Sequence, residues 1–180
     1  MTHLHRFGVP KARQRTPTQK LIAFELEGEC YALPIARVVR VLHEFKVYGT
    51  FNRGRGLIKY QGETIPLIDL GVLLLDRDRP QVYHYSIICT PEETQCSVTN
   101  FSESIRHNKK EDASERFQYI AIPIPELPRV LDVPESQFSD VPDSYRQGNL
   151  GSVIEKLIHP SEDDLFFYLN LEQLLKRIEV

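Results

Sequence analysis

The sequence predicts an all-β fold, either a sandwich or barrels, and three observations lead to that class. Short apolar segments alternate with polar residues at period two along much of the chain. Twelve prolines and nine glycines interrupt these segments, so turns are frequent. Only two brief stretches have helical spacing. The 180 residues form one or two small domains, and a break near 76–80 predicts two subdomains of similar size.

The first structured segment is predicted to be a β-hairpin. Residues 1–19 carry four cationic side chains and no acidic one, which is typical of a flexible basic tail. Regular structure is therefore expected to begin at Leu21. In its first strand Ile22, Phe24 and Leu26 share one face, and a glycine then breaks the run.

A short helix is predicted near 35–43, because Pro34 is favourable at a helix start. Its apolar stripe has the spacing i, i+3, i+4, i+7 and consists of Ile35, Val38, Val39 and Leu42. Arg40 faces away from that stripe. Val41 lies at its margin, where a half-covered apolar side chain is available to a partner protein.

The segment 56–70, GLIKYQGETIPLIDL, is predicted to be a second hairpin. Its turn falls at Gln61-Gly62, because glycine adopts the positive φ that tight turns require. Pro66 lacks the ladder N–H, so its strand is expected at an edge or a bulge. Asp69 closes that strand, and its carboxylate is expected to accept backbone N–H bonds from the following turn.

Further strands and a C-terminal helix are predicted beyond the break. The strands are Val82–Thr90, Phe117–Ile124, Arg129–Val133, Ser152–Ile158 and Leu165–Leu169. The stretch 91–116 holds six acidic and four basic residues and is expected to form a long polar loop. Asn170 is the predicted N-cap of a helix over 171–180.

The composition excludes several classes of protein. A net charge of −3 argues against sequence-independent nucleic-acid binding. The sequence has no apolar run near the ~20 residues of a membrane span and no secretory signal at its start. Its three cysteines cannot all pair with one another and are expected to be reduced. We therefore expect a cytoplasmic protein without membrane insertion.

No catalytic or cofactor-binding constellation is predicted. A nucleophilic triad of Asp69, His84 and Cys89 fails, because His84 and Cys89 point to opposite faces of one strand. The sequence also lacks a glycine-rich phosphate loop, and no metal site is expected.

Basic side chains cluster once, at Arg53, Arg55 and Lys59, together with the aromatic residues Phe51 and Tyr60. Three interpretations remain open at this point. The cluster is an ordinary surface loop, a protein-binding patch, or a site for single-stranded nucleic acid with bases stacked on the aromatic rings.

Taken in order, several segments resemble the CheW-like adaptor family of bacterial chemosensory systems. The hairpin at 56–70 resembles the family's signature hairpin, with a glycine-led strand, a turn glycine and a Pro-x-x-Asp-Leu ending. FELEGECYALPI at 24–35 resembles the opening hairpin of the family. GSVI at 151–154 and NLEQLL at 170–175 resemble its final hairpin and helix. The similarity spans about residues 20–176.

The resemblance implies two small five-stranded SH3-like barrels packed together, without an active site or cofactor. It also implies an adaptor that couples a chemoreceptor to a CheA-type histidine kinase, in chemotaxis or in type IV pilus motility. A groove near the short helix would accept the receptor's cytoplasmic tip, and another face would contact the kinase regulatory domain. The residues expected to bind partners are Val38, Arg40, Val41, Lys59, Tyr60 and Gln61.

A tripeptide and one further residue depart from the family's pattern. Lys59-Tyr60-Gln61 stands where the family usually has Asn-Leu-Arg, and glutamine supplies neither the charge nor the fork geometry of arginine. Arg40 stands where the family often carries an acidic residue. A second hypothesis is therefore a protein-binding regulatory module outside chemotaxis, and a third is single-strand nucleic-acid binding at the basic cluster.

Overall fold

Strands dominate the part of the chain that the structure, a computed structural model, describes: residues 17–52, 54–75, 82–90, 118–146 and 151–178. The strands are β1 (Thr18–Leu26), β2 (Glu29–Pro34), β3 (Val38–His43), β4 (Val47–Asn52), β5 (Arg55–Tyr60), β6 (Glu63–Ile68), β7 (Tyr85–Cys89), β8 (Ile120–Ile124), β9 (Arg129–Pro134), β10 (Phe138–Asp140), β11 (Ile154–Ile158) and β12 (Phe166–Leu169). The helices are α1 (Leu70–Leu75), α2 (Asp143–Arg146) and α3 (Leu171–Ile178), with 3-10 turns at Ile35–Arg37 and Glu135–Gln137. The predicted basic tail up to residue 16 and the predicted loop at 91–116 lie outside the described residues.

The strands form two six-stranded sheets, and each sheet curls into a barrel. Barrel 1 has the strand order β3-β7-β8-β6-β5-β4, and barrel 2 has the order β10-β11-β12-β2-β1-β9. In barrel 1 the edge strands β3 and β4 are joined by residues 44–46 alone. Such a connection spans no more than about 15 Å, whereas a flat six-stranded sheet is about 24 Å wide, so the sheet must curl. Residues 135–137 close barrel 2 in the same way, between β9 and β10.

The all-β class and the two-barrel architecture are confirmed, but the chain is divided differently from the prediction. Each sheet has six strands where five were expected. Barrel 1 takes its strands from β3 to β8, so the break near 76–80 falls between strands of one barrel. Barrel 2 combines the first hairpin with β9 to β12, and β2 pairs in parallel with β12. The first and last strands therefore build one barrel together.

The largest apolar core of the described residues lies between the two barrels. Both faces of β1 are buried, because Leu21 and Ala23 face the interior of barrel 2 whereas Ile22 and Phe24 face barrel 1. The inter-barrel core includes Ile22, Phe24, Leu26, Tyr31, Leu33, Ile87, Cys89, Ile120, Ile122 and Ile124. Burial stabilises in proportion to the apolar area removed from water, so the barrels are held together by more packing than fills either interior.

The helix predicted near 35–43 is wrong. Only the 3-10 turn Ile35–Arg37 is helical, and the residues after it form β3, which pairs with β7. Val39, assigned above to the core-facing stripe, is 45% exposed, and Leu42 packs into the interior of barrel 1. Three of the first four residues of β3 are valines, whose branched side chains favour extended backbone. An apolar run this short is compatible with both a helix and a strand, and tertiary pairing decides between them.

The hairpin predicted at 56–70 is confirmed as β5 and β6. Gln61 and Gly62 form its turn, with φ of 51° and 88°. The expected position of Pro66 is wrong, because β6 lies between β8 and β5 and its ladder with β5 has no bulge. A missing N–H is tolerated there because β6 pairs with β8 only at Leu67, which lies opposite Ala121.

Two Asx residues end strands and begin helices, and both structural predictions are confirmed. Asp69 is 1% exposed, and its Oδ1 accepts the backbone N–H of Val72 at 3.2 Å. Asn170 Oδ1 accepts the backbone N–H of Gln173 at 3.0 Å, which is the geometry of an N-cap. The helix that follows Asp69, α1, was not predicted, because its sequence LGVLLL continues the apolar run of the strand.

Candidate partner-binding site

Four of the six residues predicted to bind partners line one cleft of barrel 1. The cleft has a volume of about 370 Å³ and lies between the β3–β4 connection and the β5–β6 turn. Arg40 lines it from β3, and Lys59, Tyr60 and Gln61 line it from the hairpin. The structure therefore brings Arg40, from the segment predicted as the short helix, together with the residues of the signature hairpin.

The other two predicted residues, Val38 and Val41, lie on the opposite side of β3. Both are partly buried and pack against the inter-barrel core. Across the ladder, Val41 pairs with Ile87 of that core, whereas Arg40 pairs with Ile88 of the barrel 1 interior. Successive side chains of a strand point to opposite faces, and the irregularity in the ladder between Val38 and Arg40 brings Val38 to the same side as Val41. The strand β3 therefore separates the two valines from the cleft.

The β5–β6 turn forms one wall of the cleft through a residue in a sparsely populated conformation. Gln61 has φ of 51°, a left-handed value that few residues other than glycine and asparagine adopt. Its Nε2 donates a hydrogen bond of 3.2 Å to the Tyr60 hydroxyl. Tyr60 is only 6% exposed. Its ring packs against that of Tyr119 in a T-shaped arrangement, with the ring centres 5.5 Å apart. The glutamine is therefore held over a buried tyrosine.

The opposite wall comes from the β3–β4 connection, which the sequence did not single out. Glu44 also has a left-handed φ, of 56°, and its N–H donates to the carbonyl of His84 at 2.9 Å. Phe45 packs into the interior core of barrel 1. Of the three described non-glycine residues with positive φ, two line this cleft. Such conformations cost about 1–3 kcal/mol each and concentrate at functional sites.

Two lysine side chains contact the ring of an exposed tyrosine at the edge of the cleft. Tyr48 of β4 is 39% exposed. The ammonium groups of Lys46 and Lys59 lie 5.2 and 5.9 Å from the centre of its ring. Contacts of this length are cation–π interactions, which hold both lysine side chains beside the same ring.

The cleft is cationic. Arg40, Lys46 and Lys59 face one acidic side chain, Glu44. Among the described residues, ion pairs join Lys20 to Asp132 and Arg37 to Glu172, and none of the three cleft cations is paired with a described carboxylate.

An apolar rim adjoins the cations. Leu57 of β5 is 43% exposed and pairs across the ladder with Tyr48. Leu57 lies on the same exposed face of β5 as Lys59. Apolar and aromatic side chains flanked by charge are typical of the central part of a protein interface.

The basic cluster noted in the sequence is only partly brought together. Arg55 and Lys59 are exposed and lie on the same face of β5. Tyr60 faces the barrel interior instead, and so it offers no ring for a base to stack on. Arg53 and the side chain of Phe51 lie outside the described residues.

The remaining reactive side chains do not form a site. Asp69 caps α1, His84 is exposed and Cys89 is fully buried. Burial raises the pKa of the Cys89 thiol to about 12, so the reactive thiolate is disfavoured. Within the described residues no cluster of three or more His, Cys, Asp or Glu side chains is arranged for a metal ion.

Two comparisons with known proteins match this chain. The family model of the CheW-like domain matches residues 20–179. The crystal structure of the scaffolding protein TtCheW from Thermoanaerobacter tengcongensis superimposes with a TM-score of 0.61 and 17% sequence identity, covering 85% of this chain and 89% of that one. No curated protein matches the sequence. Among the described residues, no helix has the length and apolar character needed to cross a membrane.

Proposed function

This chain belongs to the CheW-like domain family, and from that premise we propose that it is a non-catalytic adaptor that couples a chemoreceptor to a CheA-type histidine kinase. A chemotaxis adaptor role agrees with both the family and the scaffolding protein that shares its fold. The motility output that we propose is chemotaxis or type IV pilus movement.

The observation that carries the proposal is the cleft at the signature hairpin. The β5–β6 turn places Lys59 and Gln61 at the surface beside exposed apolar residues. A cleft with charge, aromatic rings and an apolar rim is suited to binding a folded partner. We assign this face to the kinase regulatory domain.

The receptor tip is assigned to the other side of β3, where Val39 is 45% exposed beside Val38 and Val41. An amphipathic helix binds by placing its apolar face on such a surface. Val41 is unsuitable for a test by charge, because it packs against the inter-barrel core and a buried charge would unfold the site. Val39 is the better position, since a charge there stays in water in the free protein.

The proposal is tested by titrating the chain with two separate fragments, a CheA-type kinase regulatory domain and a chemoreceptor cytoplasmic tip. We expect both to bind, and a ternary complex to form when all three are mixed. Val39→Glu should weaken receptor binding about tenfold and leave kinase binding unchanged, as expected for a charge placed in an apolar contact. Val130→Glu, at an exposed valine on β9 of barrel 2, is the matched control.

If the wild-type chain binds neither fragment, the coupling function is wrong. The chain would then be a CheW-like regulatory module outside chemotaxis. Deleting its gene separates the two motility outputs, because a loss of swimming chemotaxis and a loss of twitching are scored independently.

A further inference from the structure

The cleft of barrel 1 holds more positive charge than its own residues balance. Arg40, Lys46 and Lys59 line it, and none of them forms an ion pair with a described carboxylate. Both ammonium groups lie within 6 Å of the centre of the Tyr48 ring. Like charges so close together repel each other, and an anion placed beside them relieves that repulsion.

We propose that the cleft binds an acidic segment of the partner protein, with carboxylates toward the three cations and an apolar side chain on the rim. The inference rests on the proposed function, because it takes the occupant to be part of the kinase regulatory domain. It adds the chemistry of the contact, which the family membership does not specify.

The aromatic and apolar groups favour a protein segment over a nucleic acid. Leu57 is exposed on the same face of β5 as Lys59 and provides a surface for an apolar side chain. The ring of Tyr60 is buried in the barrel, and the exposed ring of Tyr48 already contacts the ammonium groups of two lysines. The whole chain has a net charge of −3, whereas proteins that bind polynucleotides without sequence preference present a broad cationic surface.

The cleft walls are fixed before any partner arrives. Glu44 is held by its bond to His84, and the side chain of Gln61 is held by its bond to Tyr60. The two lysines are positioned by one ring. A site with this much order loses little side-chain entropy on binding, so modest charge interactions contribute to affinity.

The first arm of the test uses a soluble peptide of glutamates with two phenylalanines, and the same peptide with glutamine in place of glutamate. Backbone amide NMR titrations at low salt should show the glutamate peptide binding about tenfold more tightly, with shifts centred on residues 44–46 and 59–61. Equal binding of the two peptides overturns the inference. So does tighter binding of single-stranded oligothymidylate, which would make the site one for nucleic acid.

The second arm uses a matched pair of double variants in the full chain. Lys46→Gln with Lys59→Gln removes two cleft cations, and Lys156→Gln with Lys176→Gln removes two exposed cations from barrel 2 and α3. The cleft variant should bind the kinase regulatory domain three- to tenfold more weakly, and the control should bind like the wild type. Circular dichroism melts of both variants exclude unfolding as the cause.

The outcomes of the second arm separate this inference from the proposed function. Kinase binding that is equal in the two double variants overturns the acidic-segment inference and leaves the adaptor function in place. A wild-type chain that binds neither the kinase nor the receptor fragment overturns the adaptor function itself.

Discussion

Barrels 1 and 2 each contain the same construction, a hairpin followed by an Asx residue and a helix. In barrel 1 it comprises β5, β6 and α1, and in barrel 2 it comprises β11, β12 and α3. The N–H of Asp69 donates to the carbonyl of Gly54 at 2.7 Å, and the N–H of Asn170 donates to the carbonyl of Val153 at 2.8 Å. The two helices then place leucines in the same inter-barrel core.

The two hairpins differ at their tips. The tip in barrel 1 is the two-residue turn Gln61-Gly62, next to Lys59 and the cationic cleft. The corresponding connection in barrel 2 runs over residues 159–165 and exposes the acidic run Glu162, Asp163 and Asp164. The common part of the construction is buried and hydrogen-bonded, whereas the part that differs is exposed and charged. The comparison indicates that folding constrains the sequence of the strand–helix junction more than the sequence of the hairpin tip.

The largest effect is expected where the two constructions meet in the inter-barrel core. Leu74 of α1 is 6% exposed and Leu174 of α3 is fully buried. Replacing either by alanine should lower the free energy of unfolding by about 2–5 kcal/mol, through lost burial and the cavity left behind. Because both side chains belong to one core, each variant should still melt in a single transition, measured by calorimetry.

Leu127→Ala is the control for the core variants. Leu127 is 66% exposed, so its truncation should change the stability by less than about 0.5 kcal/mol. Two separate melting transitions in Leu74→Ala or Leu174→Ala would show that the barrels fold independently, contrary to the shared core described above.

The second effect concerns Gly54, whose carbonyl accepts the N–H of Asp69 as the carbonyl of Val153 accepts that of Asn170. Gly54 has φ of +74°, and an added Cβ would lie 3.0 Å from both the Asp69 carbonyl oxygen and the Val72 Cβ. Gly54→Ala should therefore cost about 2–3 kcal/mol, measured by urea unfolding, since it combines backbone strain with overpacking.

Gly62 provides the matched comparison, because its φ is +88° and an added Cβ would meet nothing within 4 Å. Gly62→Ala should cost about 1 kcal/mol, from the backbone conformation alone. Equal losses in the two variants would mean that the packing of α1 against Gly54 adds nothing.

The sequence predicted the hairpins well, because turn signals are local. The turns of β1–β2 and β5–β6 each end in a glycine, Gly28 and Gly62. Both glycines have the positive φ that tight turns require. The cap at Asn170 was also predicted from its neighbours alone. The helix predicted over 35–43 was wrong, because a run of valines is compatible with both a helix and a strand. Only its pairing with β7 distinguishes the two.

The cleft was half predicted, for a different reason. The resemblance supplied Arg40, Lys59, Tyr60 and Gln61, but nothing in the sequence linked them to the β3–β4 connection. Tyr48 reaches Lys59 through the ladder between β4 and β5, whereas Arg40 of β3 joins them only because the sheet curls and brings its two edge strands together. Contacts made by barrel closure depend on long-range pairing, which local patterns do not encode.

The smallest effect is expected at the two Asx junctions, and it tests most directly whether they are equivalent. Asp69 and Asn170 each accept a backbone N–H from the third residue after them, at 3.2 and 3.0 Å. Replacing either by alanine removes one cap bond and should cost about 1 kcal/mol in urea unfolding, as N-cap truncations do. Asp69→Asn keeps an oxygen acceptor, so it should lose less than Asp69→Ala, and Asn170→Asp should be close to neutral. Neither alanine variant should weaken binding of the kinase or receptor fragment at temperatures where the protein is folded. If Asp69→Ala abolished kinase binding without loss of stability, Asp69 would be part of the partner site, and its equivalence to Asn170 would be wrong.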